Sequence, residues 1–196
     1  MNLPNRLTVV RILFVPVVLV CLLIEFHHHY LCAGIFFGLA SITDYFDGKI
    51  ARERNLITNF GKFADPLADK ILIVSVLLCF VELKIVSCIP VIILLFREFF
   101  VTSIRLVSAS SGVVLAANIF GKLKTVSQIV AVSLIFLLKY ILELMQMDII
   151  KVNINTYILW ESVFKVIGIC GIWISTVVAL ISGAIYLKSN INILKT

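Results

Sequence analysis

Four of the chain's five aspartates lie between positions 44 and 69. They fall in Asp44-Tyr-Phe-Asp47-Gly48-Lys-Ile-Ala51-Arg52 and, further on, Gly61-Lys-Phe-Ala-Asp65-Pro-Leu-Ala-Asp69. On helices, Asp44 and Asp47 share one face and Asp65 and Asp69 another, since side chains three or four apart are neighbours at about 5–6 Å. Four carboxylates held this close repel one another unless a cation binds them. An all-oxygen donor set suits Mg²⁺, Mn²⁺ or Ca²⁺, and the absence of His or Cys beside it argues against zinc. Four acids can hold two ions about 3.5–4 Å apart, the arrangement used in phosphoryl transfer. Gly48, Ala51 and Gly61 recur at helical spacing around the acids and leave room for a flat or bulky ligand. Arg52, one turn beyond Gly48, is placed to take a phosphate in a forked contact. A solvated rim would explain either aspartate pair alone, but poorly explains both pairs with small residues interleaved.

The elements that must position these acids are apolar. Of 196 residues, 61% are hydrophobic and the mean hydropathy is +1.12, against about 45–50% apolar for soluble domains. A carboxylate at the centre of a bilayer costs about 2.5–3.5 kcal/mol on insertion scales, so the cluster belongs at a membrane edge. Six apolar runs, at about 7–24, 31–54, 60–81, 86–107, 120–144 and 157–187, each approach the roughly 20 residues a helix needs to cross. The chain therefore reads as one domain over residues 1–196. It is expected to be all-α, a polytopic membrane protein with six transmembrane helices. Arg6 and Arg11 precede or enter the first run without a small-residue cleavage site following, so that run is expected to be retained rather than removed as a signal peptide.

With both termini cytoplasmic, the inner segments hold Arg6, Arg11, Lys49, Arg52, Arg54, Lys62, Lys70, Arg97, Arg105, Lys122, Lys124, Lys188 and Lys195. The outer side keeps Lys84, Lys139, Lys151 and Lys165, so thirteen of the seventeen basic residues lie inside. Cationic bias of this kind sets orientation, and it turns the aspartate cluster toward the cytoplasm. His27, His28 and His29 fall on the opposite side and read as an exposed connector. None of the five cysteines forms a C-x-x-C pair, and they read as small membrane-buried hydrophobes rather than a disulfide or zinc framework.

A second basic set accompanies the acids. Arg97 interrupts an apolar run, Arg105 lies two turns on along the same face, and Lys122 opens the fifth run. Arginines inside a span are functional candidates, and the three cations together would form a pocket for a phosphate. Two plainer readings stay open: Arg97 pairing with a carboxylate for packing, and Lys122 and Lys124 anchoring to anionic lipid. Arg11 and Asn5 either line the site or act as topological anchors.

The stretch from Asp44 to Asp69 resembles, position for position, the D-x-x-D-G-x-x-A-R-x8-G-x3-D-x3-D signature of the CDP-alcohol phosphotransferase family. Asn2 to Arg11, Arg97-Glu98-Phe99, Arg105, and Gly121-Lys122-Leu-Lys124-Thr125-Val-Ser-Gln128 look like the bacterial members that make phosphatidylglycerophosphate. The likeness covers roughly residues 2–130. It implies a six-helix homodimer in the cell membrane, with a polar cavity open to the cytoplasm and laterally to lipid. By it, Asp44, Asp47, Asp65 and Asp69 bind two Mg²⁺ or Mn²⁺ ions, and Asp69 doubles as general base. Gly48, Ala51, Arg52 and Gly61 border the cytidine nucleotide, and Arg97, Arg105 and Lys122 take the acceptor's phosphate. The implied substrates are CDP-diacylglycerol and sn-glycerol 3-phosphate, with no nucleic-acid partner. Inositol phosphate, serine or phosphatidylglycerol are alternative acceptors, though serine brings no phosphate to call for three cations. A divalent-cation transporter is the rival from another class. Its acids should sit near mid-membrane on broken helices, not at a rim beside an arginine suited to phosphate.

Overall fold

The protein is described here from a computed structural model. Its backbone is described over residues 3–53, 59–110 and 119–190, and its side chains over 8–43, 70–106, 108, 119 and 121–188. Within these bounds the chain is all-helical, with six helices: α1 (Leu3–Leu23), α2 (His29–Glu53), α3 (Asn59–Glu82), α4 (Cys88–Ser110), α5 (Ile119–Gln146) and α6 (Ile154–Asn190). Each expected apolar run falls on one of them. α1 begins earlier than expected, taking in Pro4 and Asn5. Proline is tolerated in a first helical turn, where its missing N–H has no partner to lose. Pro90 occupies the same kind of position in α4.

Connectors at the end of the bundle away from the aspartates are short, and hydrogen bonds close them. After α3, the Lys84 N–H donates to the Val81 carbonyl and the Ile85 N–H to that of Phe80, which is a Schellman cap with Lys84 in the left-handed region (φ 64° at His28, 55° at Lys84 and 57° at Asp148). The start of α2 is capped from a distant element. Glu143 on α5, buried among apolar side chains, accepts the backbone N–H groups of His29 at 3.0 Å and Tyr30 at 3.4 Å. Those N–H groups have no partner inside their own helix, and the carboxylate also meets the positive end of the helix dipole.

α1 packs on α2 and α3, α2 on α5, α5 on α6, and α6 on α4. The core is aromatic at its centre. Phe136 of α5 lies with ring centroids 5.6 Å from Phe37 of α2 and 5.3 Å from Phe80 of α3. Gly34 admits it, since a Cβ there would come within 3.3 Å of the Phe136 Cβ. Between α5 and α6, Gly168 lies against Ile135 and Gly171 against Ala131, the small-residue contact by which helices associate where hydrophobic burial offers no drive. Residues 121–146 and 154–188 are long and apolar enough to cross a membrane. Thr8–Leu23 and His29–Thr43 are shorter apolar helical segments. Many large apolar side chains face outward, among them Leu13, Ile92, Phe96, Phe99, Val130 and Ile174, as lipid-facing surfaces do.

Candidate functional site

Asp44 and Asp47 lie in the last turns of α2, and Asp65 and Asp69 in the first half of α3. The two helices follow one another, so all four acids belong to the same end of the chain's second hairpin. Gly48, Ala51 and Arg52 lie on α2, and Gly61 on α3. The side chains of all eight lie outside the described residues, so their expected contacts are untested by geometry. The expected donor set is four carboxylates and nothing softer, residues that would fit a hard divalent cation such as Mg²⁺ or Mn²⁺.

Next to them, the described structure begins with Lys70, the residue after Asp69. Its ammonium donates to the Thr102 hydroxyl on α4 and lies 4.0 Å from a Glu98 carboxylate oxygen. Glu98 is a junction of three helices. Lys124 of α5 binds its Oε2 directly, and a terminal nitrogen of Arg97 lies 3.5 Å from the same oxygen. Three cations thus surround one carboxylate, leaving a surplus of two positive charges. A partly buried cluster with that surplus is a ready site for an anion.

Arg97 is held from the other side by α6. Its Nε donates to the Ala179 carbonyl at 3.1 Å and its other terminal nitrogen to the Ser182 hydroxyl at 2.9 Å. Gly183 makes this possible, because a Cβ there would meet the Arg97 Cγ at 3.3 Å and Nε at 3.4 Å. A buried guanidinium must be paired and hydrogen-bonded to persist, and here the pairing joins α4 to α6. Arg105 shares that face, as its spacing predicts. It donates to the Tyr186 hydroxyl at 3.4 Å, and its guanidinium stands 5.3 Å from the centre of the Tyr186 ring, within cation–π range. Ala179, Ser182, Gly183 and Tyr186 follow helical spacing, so one stripe of α6 receives both arginines.

The structure therefore brings Arg97 and Arg105 together along α4 and α6. Lys122 is exposed on α5, and among the described residues no hydrogen bond or ion pair ties it into the cluster. Its neighbour Lys124, for which lipid anchoring was an open reading, is instead buried against Glu98. Thr8 and Arg11, on α1, are fully buried and neither lacks a partner. Sequence reasoning missed Lys70, Glu98, Ser182 and Tyr186 as members of the cluster. Two signals were available: Lys70 follows Asp69, and Glu98 adjoins Arg97.

A model of CDP-alcohol phosphatidyltransferase matches residues 1–168. The chain is 36% identical, over its whole length and 98% of the relative's, to the CDP-diacylglycerol–glycerol-3-phosphate 3-phosphatidyltransferase of Bacillus subtilis. A Rickettsia felis protein of the same name is 38% identical over 85% of this chain and 90% of its own. A probable phosphatidylglycerophosphate synthase of Mycobacterium tuberculosis is 42% identical over 69% of this chain and 66% of its own.

Proposed function

Because the chain belongs to the CDP-alcohol phosphatidyltransferase family, we propose that it transfers phosphatidyl from CDP-diacylglycerol to sn-glycerol 3-phosphate. The products are phosphatidylglycerophosphate and CMP. The reaction is the one named for the Bacillus subtilis and Rickettsia felis relatives. The single observation that supports it most is the run Asp65, Asp69, Lys70 on one helix, with Lys70 tied into a cluster of surplus positive charge on α4 and α5. Carboxylates for a metal and cations for an anionic acceptor are thereby joined through adjacent residues.

In this reading Asp44, Asp47, Asp65 and Asp69 would hold two Mg²⁺ or Mn²⁺ ions, which would neutralise the pyrophosphate as charge moves onto the leaving CMP. Asp69 accepts the proton of the acceptor hydroxyl. That oxygen then bonds to the lipid-side phosphorus as the bond to the CMP oxygen breaks. Gly48, Ala51 and Gly61 border the cytidine, and Arg52 grips the nucleotide's phosphates in a fork. Arg97, Arg105 and Lys122 hold the acceptor's phosphate and aim its hydroxyl in line, with Lys70 and Lys124 adding to the field. Glu98 fixes both lysines. The six helices cross the cell membrane with both termini and the aspartates on the cytoplasmic side, and two copies associate as a homodimer.

The cation cluster would equally serve inositol phosphate. Offering the purified protein CDP-diacylglycerol with glycerol 3-phosphate, inositol phosphate, serine and phosphatidylglycerol in parallel separates these. The lipid product should be phosphatidylglycerophosphate alone. An inositol-containing or serine-containing lipid as main product would refute the acceptor assignment.

A further inference from the structure

The end of the bundle opposite the aspartates carries its own charged cavity. It has a volume of about 220 Å³ and lies between the α3–α4 connector, α5 and α6. Lys84, Lys139 and Lys165 converge on it with one acid, Glu161, while Leu138 and Phe164 supply an apolar wall. Three cations and one carboxylate leave a surplus of two positive charges. Among the described residues, the ion pairs within 4 Å all centre on Glu98, so no carboxylate closes on these lysines. The Lys139 ammonium stands 6.0 Å from the centre of the Tyr30 ring, at the limit of a cation–π contact, and the carboxylate that acts on it, Glu161, also faces Lys84 and Lys165 across the cavity.

Lys84 adds a second, independent observation. It sits in the left-handed region at the cap of α3, a position that glycine or asparagine takes without strain. Residues that tolerate this conformation best include His and Asp, as at His28 and Asp148, but not Lys. Lys84 holds this conformation while lining the cavity.

Helix length sets the cavity's depth. α6 has 37 residues, about 55 Å at 1.5 Å per residue, against a hydrocarbon thickness of about 30 Å. Lys165 and Lys188 bracket an apolar stretch of α6 that spans about 34 Å at the same rise. With Lys188 at the aspartate side, Lys165 lies at the headgroup level of the other leaflet. Asp69 and Lys84 are separated by roughly 22 Å along α3 and its cap, so the cavity is distinct from the catalytic end. A cavity smaller than the roughly 300–1,000 Å³ of drug-sized pockets takes a headgroup rather than a whole lipid.

We propose that this cavity binds the headgroup of one anionic phospholipid from the leaflet opposite the active site. Lys84, Lys139 and Lys165 grip its phosphodiester, Glu161 accepts from headgroup hydroxyls, and an acyl chain lies along Leu138 and Phe164. The inference rests on the membrane-spanning reading above, but not on the identity of the acceptor.

The test is native mass spectrometry of the full-length protein in uncharged detergent, titrated with phosphatidylglycerol or phosphatidylcholine. Wild type should retain one more phosphatidylglycerol per chain than a Lys84→Gln/Lys139→Gln/Lys165→Gln variant, and should bind phosphatidylcholine at least tenfold more weakly at that site. Turnover of CDP-diacylglycerol by the variant should stay within twofold, which keeps this test separate from that of the transferase reading. Lys84→Gly removes the cation and relieves the backbone. It should weaken retention at least threefold while Tm is unchanged or raised, so lost binding cannot be put down to misfolding. Equal lipid counts in wild type and variants, equal retention of phosphatidylcholine, or displacement by equimolar inorganic phosphate would each overturn the proposal.

Discussion

Arg97 and Arg105 occupy the same face of α4 but have different surroundings, and the difference can be measured. Arg97 is buried, with two nitrogens bonded to α6 and the third beside Glu98; Arg105 is more open and rests on Tyr186. A hydrogen bond to a charged group contributes roughly 1.5–3 kcal/mol, about a tenfold to hundredfold effect on binding. Arg105→Ala should therefore raise the KM for glycerol 3-phosphate by that factor and leave the KM for CDP-diacylglycerol nearly unchanged. Arg52→Ala should do the reverse. Steady-state titration of both substrates decides it, and an interchange of the two effects would mean that the pockets are assigned backwards. Arg97→Ala should in addition lower stability, by about 1–3 kcal/mol, because the buried Ser182 hydroxyl loses its partner while Lys124 and Lys70 still neutralise Glu98. At this scale the sequence showed which residue types mattered and little of who meets whom. The spacing of Arg97 and Arg105 put them on one face, as found. The meeting of Glu98 with Lys124 joins residues 26 apart on different helices, and no periodicity encodes such a contact. Lys122 and Lys124 lie on the same motif, and only packing distinguishes the exposed one from the buried one.

Among the helices, small residues decide where two elements can touch, and their consequences differ by position. Gly183 accommodates Arg97, whereas a Cβ on Gly38 would meet nothing within 4 Å. Gly38→Ala should be neutral or stabilising by up to about 1 kcal/mol, the helix-propensity difference. Gly183→Val should displace the guanidinium and expose its bonds, lowering stability by about 2–3 kcal/mol. Thermal unfolding of the two variants in detergent checks the contrast, and equal Tm values would remove Gly183 from its assigned role. The helices themselves were legible because six apolar runs are separated by polar turns, and helix ends fell close to those turns. The first half of α2 is rich in Gly and Ala, and within it Gly34 lies against Phe136. What stayed hidden was the cap on α2: Glu143 lies 114 residues from the N–H it accepts, and in the sequence it is one acid near the end of an apolar helix.

The whole molecule is polarised. Among the described residues, most basic side chains gather at the end of the bundle to which the aspartate positions of α2 and α3 belong, and the short capped connectors and the lysine cavity lie at the other. If the first end is cytoplasmic, a cysteine placed near Asn55 should react with an impermeant thiol reagent only from the cytoplasmic side, and one near His28 only from outside. The opposite pattern would put the aspartates on the wrong face for a soluble phosphorylated acceptor. Composition and charge asymmetry carried this level of organisation in the sequence, since they need no knowledge of packing. The account's central claim is that the two substrates react with each other at the aspartate end under divalent-cation control. It is tested most directly by following CMP and lipid product together, with purified protein, CDP-diacylglycerol and isotopically labelled glycerol 3-phosphate. CMP and labelled phosphatidylglycerophosphate should appear in equal amounts, cease in excess EDTA, return with Mg²⁺ or Mn²⁺, and be lost in Asp65→Asn. Full activity in EDTA, or CMP released without labelled lipid, would contradict it.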